Sequence, residues 1–405
     1  MRLLYSFGIK IYSILVLLLS LFNQKARLMI SGRKLHIQNF ENDNKPIWIH
    51  AASLGEFEQG RPLIERIRND YPNKKIVLTF FSPSGFEEKK DYKMVDLVTY
   101  IPFDTKRNSK EFISKINPSV VIFIKYEFWF NFLFELNKRK IPTVFISAIF
   151  RKDQVYFKKP GKWFLKHFET VKYFFVQNDE STAILKKNNI NQVAVAGDTR
   201  FDAVISNKET KFENKIIEEF LKSASCIVFG STWDPDHNLI IELIKSGKLD
   251  GKKIIIAPHE IKNSEIDKII VTLNGKAGRY SKGETNYDVL LLDKIGLLKY
   301  LYRFGDFAYI GGGFGVGIHN TLEAVAYEIP VVFGPNFKKF DEAVLMMKLG
   351  IGFSVSDYSE FETKILQLNG TDLKEALAPI VQNFIAQNKG ATDLIISYLK
   401  AEKLL

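Results

Sequence analysis

A glycine-rich segment between two apolar runs places the strongest constraint on the fold of this chain. The run Phe307–Ile310 is typical of a buried strand, and a glycine loop, a helical pattern and an apolar run at 330–333 follow it. This unit holds phosphate groups in many proteins, because glycine lets the backbone approach closely and a helix start offers N–H groups. The spacing is not GxGxxG, which argues against a dinucleotide dehydrogenase. The loop contains five glycines, Gly311, Gly312, Gly313, Gly315 and Gly317.

Two polar residues stand at the start of the predicted helix. Asn320 and Glu323 lie near its first turn, where a carboxylate can accept hydrogen bonds from ribose hydroxyls. Glycines also make ordinary turns, and a glutamate in a first turn also complements the helix dipole. The spacing alone therefore leaves a nucleotide site and a purely structural loop open.

Composition and charge limit the class of protein. A chain of 405 residues with 46% apolar and 25% charged residues is long enough for two folded domains. Its single cysteine, Cys226, excludes an internal disulfide and precedes an apolar run, which indicates a buried strand residue. The formal net charge of +11 indicates an anionic partner. Nucleic acid is disfavoured, because the chain has no zinc-finger spacing and no long basic helix.

The N-terminal segment predicts a membrane anchor. Residues 3–22 are apolar with one interrupting charge, Lys10, and are long enough to span a bilayer. No signal-peptide cleavage site follows, so we expect residues 1–24 to anchor the chain, on the cytoplasmic face, without shaping the active site. Lys10 leaves open a helix that lies flat in one leaflet. The basic residues after the segment are Lys25, Arg27, Arg33 and Lys34.

Alternating strand-like runs and amphipathic helical patterns fill the rest of the chain. Two such series, 35–205 and 206–405, predict two α/β domains with a cleft between them. A basic, aromatic helix is expected over 156–166, where it would contact a membrane or an anionic acceptor, or simply present a solvated face. The runs that predict strands are Ile47–Ile49, Ile76–Phe80, Val120–Ile124, Thr143–Ala148, Tyr173–Val176, Cys226–Gly230, Lys253–Ala257, Val289–Leu292, Phe307–Ile310 and Val331–Phe333.

Two glutamates follow predicted strands of the first series. Glu56 comes after the run that begins at Ile47, and Glu127 comes after the run 120–124. Open α/β sheets place their sites at the carboxyl ends of strands, and a partly desolvated Glu56 can act as a general base. However, Ser53 and Glu56 also fit a capping box, and the spacing alone favours the cap.

Three histidines fall in the second series, His237, His259 and His319. Their spacing contains no HxH or HExxH pattern, so a metal site is disfavoured. His259 ends a predicted strand, at the edge of the sheet where the glycine loop also lies. Without a metal, phosphate would be held by loop amides, hydroxyls and a histidine.

Seven segments in order along the chain carry a resemblance to one family. The sequence resembles the 3-deoxy-D-manno-octulosonic acid (Kdo) transferases, which are membrane-bound enzymes of lipopolysaccharide assembly. The resemblance runs from the N-terminal segment to about residue 342. The segments are His50–Glu56, Glu127–Asn131, Gly197–Asp202, Gly230–Asp234, Pro258–Glu260, Asp293–Gly296 and Gly311–Glu323.

The resemblance implies a GT-B glycosyltransferase fold, in which the first Rossmann-like domain binds the acceptor and the second binds CMP-Kdo. It implies an inverting transfer of Kdo to a lipid A precursor (lipid IVA) at the inner membrane, with no metal and no other cofactor. Glu56 then becomes the general base and Glu127 a second acidic residue. The implied CMP-Kdo contacts are Pro258, His259, Lys294, Ile295, Gly296, Gly312, Gly313, Asn320, Thr321, Leu322 and Glu323.

The chain departs from the family's usual pattern at four positions. Lys125 stands in place of a second acid, and Phe130, Leu297 and Ala324 replace Pro, Glu and Pro. These departures leave the acceptor structure and the number of Kdo units open. Two other interpretations remain: another GT-B nucleotide-sugar transferase or epimerase, and a non-catalytic membrane protein that binds lipid.

Overall fold

The computed structural model describes residues 2–33, 45–159, 161–315, 317–369 and 373–405. Lys34 of the expected basic cluster, and the expected start of the first domain at residue 35, lie outside these ranges. The chain divides into two units. The first domain comprises Met1–Ala203 together with Asn388–Leu405, and the second comprises Val204–Gln387.

The first domain alternates helices with strands, as the apolar runs predict. Two short 3-10 turns, Val155–Phe157 and Gly161–Phe164, follow its fifth strand. Its elements in chain order are α1 (Arg2–Leu19), α2 (Gln24–Gly32), β1 (Ile47–Ala51), α3 (Leu54–Asp70), β2 (Ile76–Phe80), α4 (Pro83–Lys89), β3 (Leu97–Tyr100), α5 (Lys106–Ile116), β4 (Val120–Ile124), α6 (Phe130–Lys138), β5 (Thr143–Ala148), α7 (Leu165–Phe168), β6 (Tyr173–Val176), α8 (Asp179–Lys187), β7 (Val193–Val195) and α9 (Arg200–Glu209), which crosses into the second domain.

The second domain repeats this alternation, and its last helices return the chain to the first domain. Its elements in chain order are α10 (Lys215–Leu221), β8 (Cys226–Thr232), α11 (Asp234–Lys245), β9 (Lys253–Pro258), α12 (Asn263–Thr272), β10 (Ala277–Arg279), β11 (Val289–Leu291), α13 (Leu298–Leu301), β12 (Gly305–Ile310), α14 (Leu322–Val325), β13 (Val331–Phe333), α15 (Asp341–Lys348), β14 (Gly352–Ser354), α16 (Tyr358–Asn369) and α17 (Leu373–Asn388), followed by α18 (Ala391–Ala401) of the first domain.

Each domain contains one parallel sheet of seven strands. The first sheet has the order β3-β2-β1-β4-β5-β6-β7, and the second has the order β10-β11-β9-β8-β12-β13-β14. In the first sheet, β1 pairs with β2 on one side and with β4 on the other. In the second sheet, β8 lies between β9 and β12. In the first sheet, the chain connections after β1 lead outward to β2 and β3 on one side, and those after β4 lead outward to β5, β6 and β7 on the other side. The second sheet divides in the same way between β8 and β12. Each sheet therefore has a topological switch point, where α/β sheets place ligands.

All ten predicted strands are present, and the described residues form four further strands that were not predicted. The four are β3, β7, β10 and β14, which are the outermost strands of the two sheets. Central strands such as β4 are buried on both faces and read as continuous apolar runs. An outer strand has one neighbour and is short, and three of the four are only partly buried, so its sequence carries a weaker signal.

Two predicted helices are shorter than expected. The basic, aromatic segment expected as one helix over 156–166 instead contains two 3-10 turns and the start of α7, and Gly161 lies against the main chain of Val155 with no room for a side chain. The helix after the glycine loop, α14, has only four residues.

The C-terminal segment belongs to the first domain, which differs from the predicted division at 206–405. The Asp202 carboxylate accepts the N–H groups of Gly390 and Thr392 at 2.7 Å each and so holds the start of α18. Ile395 and Leu399 of α18 pack into the core formed by the inner strands of the first sheet. Residues that come before and after the second domain in the sequence are thus joined in one structural unit.

Helix α1, the expected anchor, packs along the rest of the first domain. Its residues at positions 2, 5, 6, 9, 13 and 16 are partly or fully buried, which is the spacing of one helix face. Tyr5 contacts Phe130, and Tyr12 stacks on Phe81. The opposite face exposes large apolar residues along the whole helix, including Leu4, Phe7, Ile11, Leu15 and Leu18.

Candidate functional sites

Glu56 and Glu127 follow the two strands that flank the switch point of the first sheet. Glu56 lies in the first turn of α3, directly after β1, and Glu127 lies in the loop after β4. Glu56 Oε2 accepts the N–H of Ser53 at 2.9 Å, so the capping interaction predicted from the spacing is formed. The cap does not exclude catalysis, because a carboxylate has further lone pairs for another donor.

The pKa of the Glu56 carboxyl lies near neutral pH. The side chain is buried, and this burial, reinforced by the negative charge of Glu127, raises the pKa of Glu56 to about 7. The charge of Lys125 acts in the opposite direction. A carboxyl group with a pKa near 7 can accept and hold a proton at physiological pH, which an ordinary glutamate cannot do efficiently.

A buried histidine supports the Glu127 loop. His50 lies on β1, is fully buried, and its Nε2 is 3.7 Å from Glu127 Oε2. The indole N–H of Trp129 donates to the same Nε2 at 3.1 Å, so the neutral ring carries its proton on Nδ1. Nδ1 lies 2.8 Å from Thr79 Oγ1 on the neighbouring strand β2. This network fixes the ring and, with it, the position of Trp129.

Lys125 occupies a left-handed backbone conformation between β4 and Glu127, with φ of +63°. Such a conformation costs a lysine about 1–2 kcal/mol and is maintained only by its surroundings. Its N–H donates to the Ile146 carbonyl of β5. The tight turn directs the chain away from the sheet just before Glu127.

In the second domain, three aromatic rings meet at the carboxyl ends of β8 and β9. Trp233 and His319 lie edge to edge in nearly one plane, with 10° between their rings, and Trp233 Nε1 donates to His319 Nε2 at 2.8 Å. His259 stacks on both rings, with centroids 4.6 and 4.1 Å away. We name Trp233, His259 and His319 the aromatic cluster.

Both histidines of the aromatic cluster favour the neutral form. His259 is exposed on one side, and its partial burial against neighbouring groups lowers its pKa, whereas burial together with His259 lowers the pKa of His319 to about 4. Because Trp233 donates to His319 Nε2, the proton of the neutral ring sits on Nδ1. The cluster therefore combines flat apolar faces with neutral N–H donors.

Asp236 joins the aromatic cluster to the glycine loop. Its Oδ2 accepts the N–H groups of Trp233 at 2.8 Å and Gly312 at 2.9 Å, and its Oδ1 accepts the Tyr309 hydroxyl at 2.6 Å. Gly311 packs so closely on Ser231 and Thr232 that a side chain would clash. The Gly312 N–H group therefore already donates to a side chain of the protein. We do not expect it to be one of the loop amides that hold a phosphate.

The remaining predicted nucleotide contacts lie in four places. Asn320 and Glu323 are partly exposed and hydrogen-bonded to each other at 3.2 Å, whereas Thr321 and Leu322 are buried. Gly313 is buried and approaches the main chain of Gly334. Pro258 precedes His259 at the end of β9. The segment Lys294, Ile295 and Gly296 forms an exposed turn after β11, with Gly296 at φ of +86°.

His237 contacts a different residue: its Nε2 lies 2.9 Å from Thr232 Oγ1. Within the described ranges of the chain, no group of three His, Cys, Asp or Glu side chains is arranged to hold a metal ion. Cys226 is buried at the start of β8, as predicted.

Sequence reasoning assigned no role to His50, Trp129, Trp233 or Asp236. Two of them carried a usable signal: His50 is a polar residue in a buried strand, and Asp236 stands three residues after Trp233, the spacing of a capping box. The indole N–H groups of the two tryptophans donate to residues that are distant in the sequence, so these contacts have no local signal.

Comparisons with known proteins show which proteins this chain is similar to. The family described as 3-deoxy-D-manno-octulosonic-acid transferase (kdotransferase) matches residues 25–203. A 3-deoxy-D-manno-octulosonic acid transferase of Aquifex aeolicus is 28% identical over 339 residues, covering 82% of this chain and 88% of its own. A bifunctional glycosyltransferase/methyltransferase of Fusobacterium nucleatum is 27% identical over 84% of this chain, which spans 55% of that longer protein.

A solved structure supports the GT-B-like architecture. The UDP-GlcNAc 2-epimerase of Neisseria meningitidis superposes with a TM-score of 0.63 over 88% of this chain and 100% of its own, at 16% sequence identity. At that identity the likeness concerns the fold alone. The family match over residues 25–203 and the relatives that extend across most of the chain agree: the chain is similar to Kdo transferases over most of its length.

Proposed function

We propose that this protein transfers Kdo from CMP-Kdo to a hydroxyl group of a lipid A precursor, with inversion at the anomeric carbon. The observation that carries the proposal is the buried Glu56 carboxyl with a pKa of about 7, beside Glu127 at the switch point of the first sheet. A base of this strength suits the removal of a hydroxyl proton.

In the proposed reaction Glu56 takes the proton of the acceptor hydroxyl. The acceptor oxygen forms a bond to the anomeric carbon of Kdo as the bond from that carbon to the phosphate oxygen of CMP breaks. The electron pair leaves on the phosphate, and the proton remains on Glu56. Direct displacement needs one base and no covalent enzyme intermediate. Glu127 contributes by raising the pKa of Glu56.

We assign the donor to the second domain. Asn320 and Glu323 offer an amide and a carboxylate to ribose hydroxyls, and the neutral His259 and His319 offer N–H groups to the phosphate. Exposed His259 also offers an aromatic face on which a flat base stacks. These groups require no divalent metal, so we expect the reaction to proceed in EDTA.

We assign the membrane contact to α1. By length and composition this helix is apolar enough to cross a membrane. Its packing along the first domain instead favours a helix that lies in the plane of one leaflet, with its exposed apolar face inserted. The basic, aromatic segment supports this placement, since Trp163 packs on Tyr5 and the neighbouring Lys162 and Lys166 are exposed. Lysines at this position would meet the phosphates of anionic lipid.

The test is an assay of the purified full chain with CMP-Kdo and a tetra-acylated lipid A precursor in the presence of EDTA. We expect transfer of Kdo, detected as a mass increase of the lipid. UDP-GlcNAc is the donor control and is expected to give no product. Transfer from UDP-GlcNAc, or activity restored only by added divalent metal, would contradict the proposed donor or the proposed metal independence.

A substitution in the same assay examines the base. Glu56→Gln keeps the shape and the hydrogen bond from Ser53 but cannot take a proton, so we expect turnover to fall about 10²- to 10⁴-fold with little change in KM for CMP-Kdo. Glu58→Gln is the matched control, because Glu58 lies on the same helix and pairs with Arg61 instead. Near-normal turnover in folded Glu56→Gln protein would contradict Glu56 as the general base and make Glu127 the candidate for that role.

A further inference from the structure

Polar contacts hold the start of α1 to the first domain. Tyr5 Oη donates to Asp104 Oδ2 at 2.6 Å, and Arg2 Nε donates to Asn131 Oδ1 at 3.1 Å. Ser6 Oγ is within hydrogen-bonding distance of the same Asn131 side chain. Asp104 and Asn131 are fully buried, so the low local dielectric makes these contacts stronger than they would be in water.

The same two buried residues fix the first turn of α6. Asp104 accepts the N–H groups of Asn131 and Phe132, both at 3.0 Å. The Asn131 side chain in turn donates to the Asp104 main-chain oxygen at 2.6 Å. A carboxylate at the amides of a helix start stabilises the helix. The Asp104 carboxylate therefore binds α1 and the start of α6 at the same time.

Helix α6 begins directly after the loop that carries Glu127. Trp129 precedes the helix, and its indole donates to His50, which lies 3.7 Å from the Glu127 carboxylate. Phe130, the first residue of α6, packs edge to face on Tyr5 with 5.3 Å between ring centroids. The Glu127 loop is held by His50 on one side and by contacts that reach α1 on the other.

We propose that α1 is a positioning element of the active site, in which Tyr5 acts through Asp104 to fix the start of α6 and thereby the Glu127 carboxylate. This assignment rests on the proposed role of Glu127 beside Glu56. It replaces the expectation that residues 1–24 are a separable anchor. Helix α1 also carries the exposed apolar face that we assign to the lipid surface. The same buried network therefore connects this helix to the loop that carries Glu127.

Tyr5→Phe in the full-length protein tests the proposal, because it removes one hydroxyl and keeps the ring contacts. Tyr12→Phe is the matched control, since Tyr12 contacts the domain through its ring, on Phe81 and Phe103. The first readout is hydrogen–deuterium exchange of the amides at 131–132. We expect faster exchange in Tyr5→Phe and wild-type exchange in Tyr12→Phe.

The second readout is the pH profile of kcat. We expect Tyr5→Phe to lower kcat between about tenfold and a hundredfold, the range that follows a displacement of a catalytic group by about 1 Å. The midpoint of the rise in kcat with pH should also move to lower pH. Glu56 is surrounded by Glu127, Lys125 and Tyr126, and a displaced Glu127 raises its pKa less. A smaller folded fraction would lower kcat without moving this midpoint.

Wild-type exchange at 131–132 in Tyr5→Phe would overturn the proposal, as would equal effects in Tyr5→Phe and Tyr12→Phe. Faster exchange with an unchanged kcat and midpoint would overturn it as well, because the network would then not reach Glu127. Absence of Kdo transfer by the wild type contradicts the proposed function instead, and the exchange readout still decides whether Tyr5 holds the start of α6.

Discussion

The titration of Glu56 gives the site a defined pH dependence. Its pKa is raised to about 7 by burial and by Glu127, so the group is protonated below pH 7 and ionised above it. A base must be ionised to accept a proton, and turnover should therefore rise as the pH increases through about 7. This sign is opposite to that expected of a general acid with the same pKa.

Glu127→Gln tests the electrostatic part of this description. The substitution removes the negative charge that raises the Glu56 pKa, so the midpoint of the rise in kcat should move to lower pH. A pH series of initial rates with the two proteins measures the shift. Glu58→Gln serves as the control for a general loss of negative charge on the first domain, and its midpoint should equal that of the wild type. An unchanged midpoint in Glu127→Gln would show that burial alone sets the pKa.

Asp236 supports the proposed nucleotide site of the second domain through three hydrogen bonds. Asp236→Ala leaves the N–H groups of Trp233 and Gly312 and the Tyr309 hydroxyl without their acceptor, and should lower the free energy of unfolding by roughly 3 kcal/mol. Tyr309→Phe removes one of these bonds and should cost about 1 kcal/mol. Chemical denaturation measures both values. In protein that remains folded, Asp236→Ala should also weaken competition by CMP, because the glycine loop loses its link to α11.

Equal stability of the two variants would contradict this assignment. It would mean that the amides of Trp233 and Gly312 find other acceptors when the carboxylate is absent.

Individual side chains were predictable from the sequence where the signal was local. Glu56 and Glu127 follow strong apolar runs, and the cap from Glu56 to Ser53 depends on a spacing of three residues. The partners of His50 and Trp129 are not local, because Trp129 reaches β1 across 79 positions of the sequence. Likewise, the glycines indicated a tight loop, but the acceptor of the Gly312 amide lies 76 positions earlier.

At the level of elements, position in the sheet decided which strands were predictable from the sequence. The ten predicted strands include every inner strand of the two sheets, and the missed strands β3, β7, β10 and β14 all have one neighbour. A short outer strand such as Ala277–Arg279 contains a glycine and an arginine and has no apolar pattern of its own. Its conformation comes from pairing with β11, which is a tertiary effect.

Helix α18 illustrates the same limit and supplies a prediction. Leu399 is fully buried in the core of the first domain, whereas Leu394 on the same helix is 41% exposed. Leu399→Ala should lower the free energy of unfolding by about 2–5 kcal/mol, and Leu394→Ala should change it by less than about 0.5 kcal/mol. Hydrogen–deuterium exchange should show the loss of protection in the first domain. A loss confined to residues 204–387 would contradict the assignment of α18 to the first domain.

For the whole molecule, the proposed binding to a membrane combines two terms, net charge and apolar surface. The net charge of +11 attracts the protein to an anionic surface, and this attraction weakens as salt shortens the Debye length. The apolar face of α1 contributes a term that salt does not screen. With the lipid acceptor proposed above, both terms would bring the enzyme to the surface that contains its substrate.

Vesicle binding separates these two terms. Binding to vesicles of anionic lipid should fall as salt rises from about 0.1 to 1 M, where the Debye length shortens from about 10 to 3 Å. A residual binding should remain at high salt and should fall at least about tenfold in the variant that carries both Leu15→Gln and Leu18→Gln, because each exposed leucine contributes roughly 1.5 kcal/mol or more when it inserts. Leu394→Gln is the matched control, since it removes an exposed leucine far along the chain, on α18. Residual binding that is equal in all three proteins would show that α1 does not insert, and would leave the basic residues as the whole of the attraction.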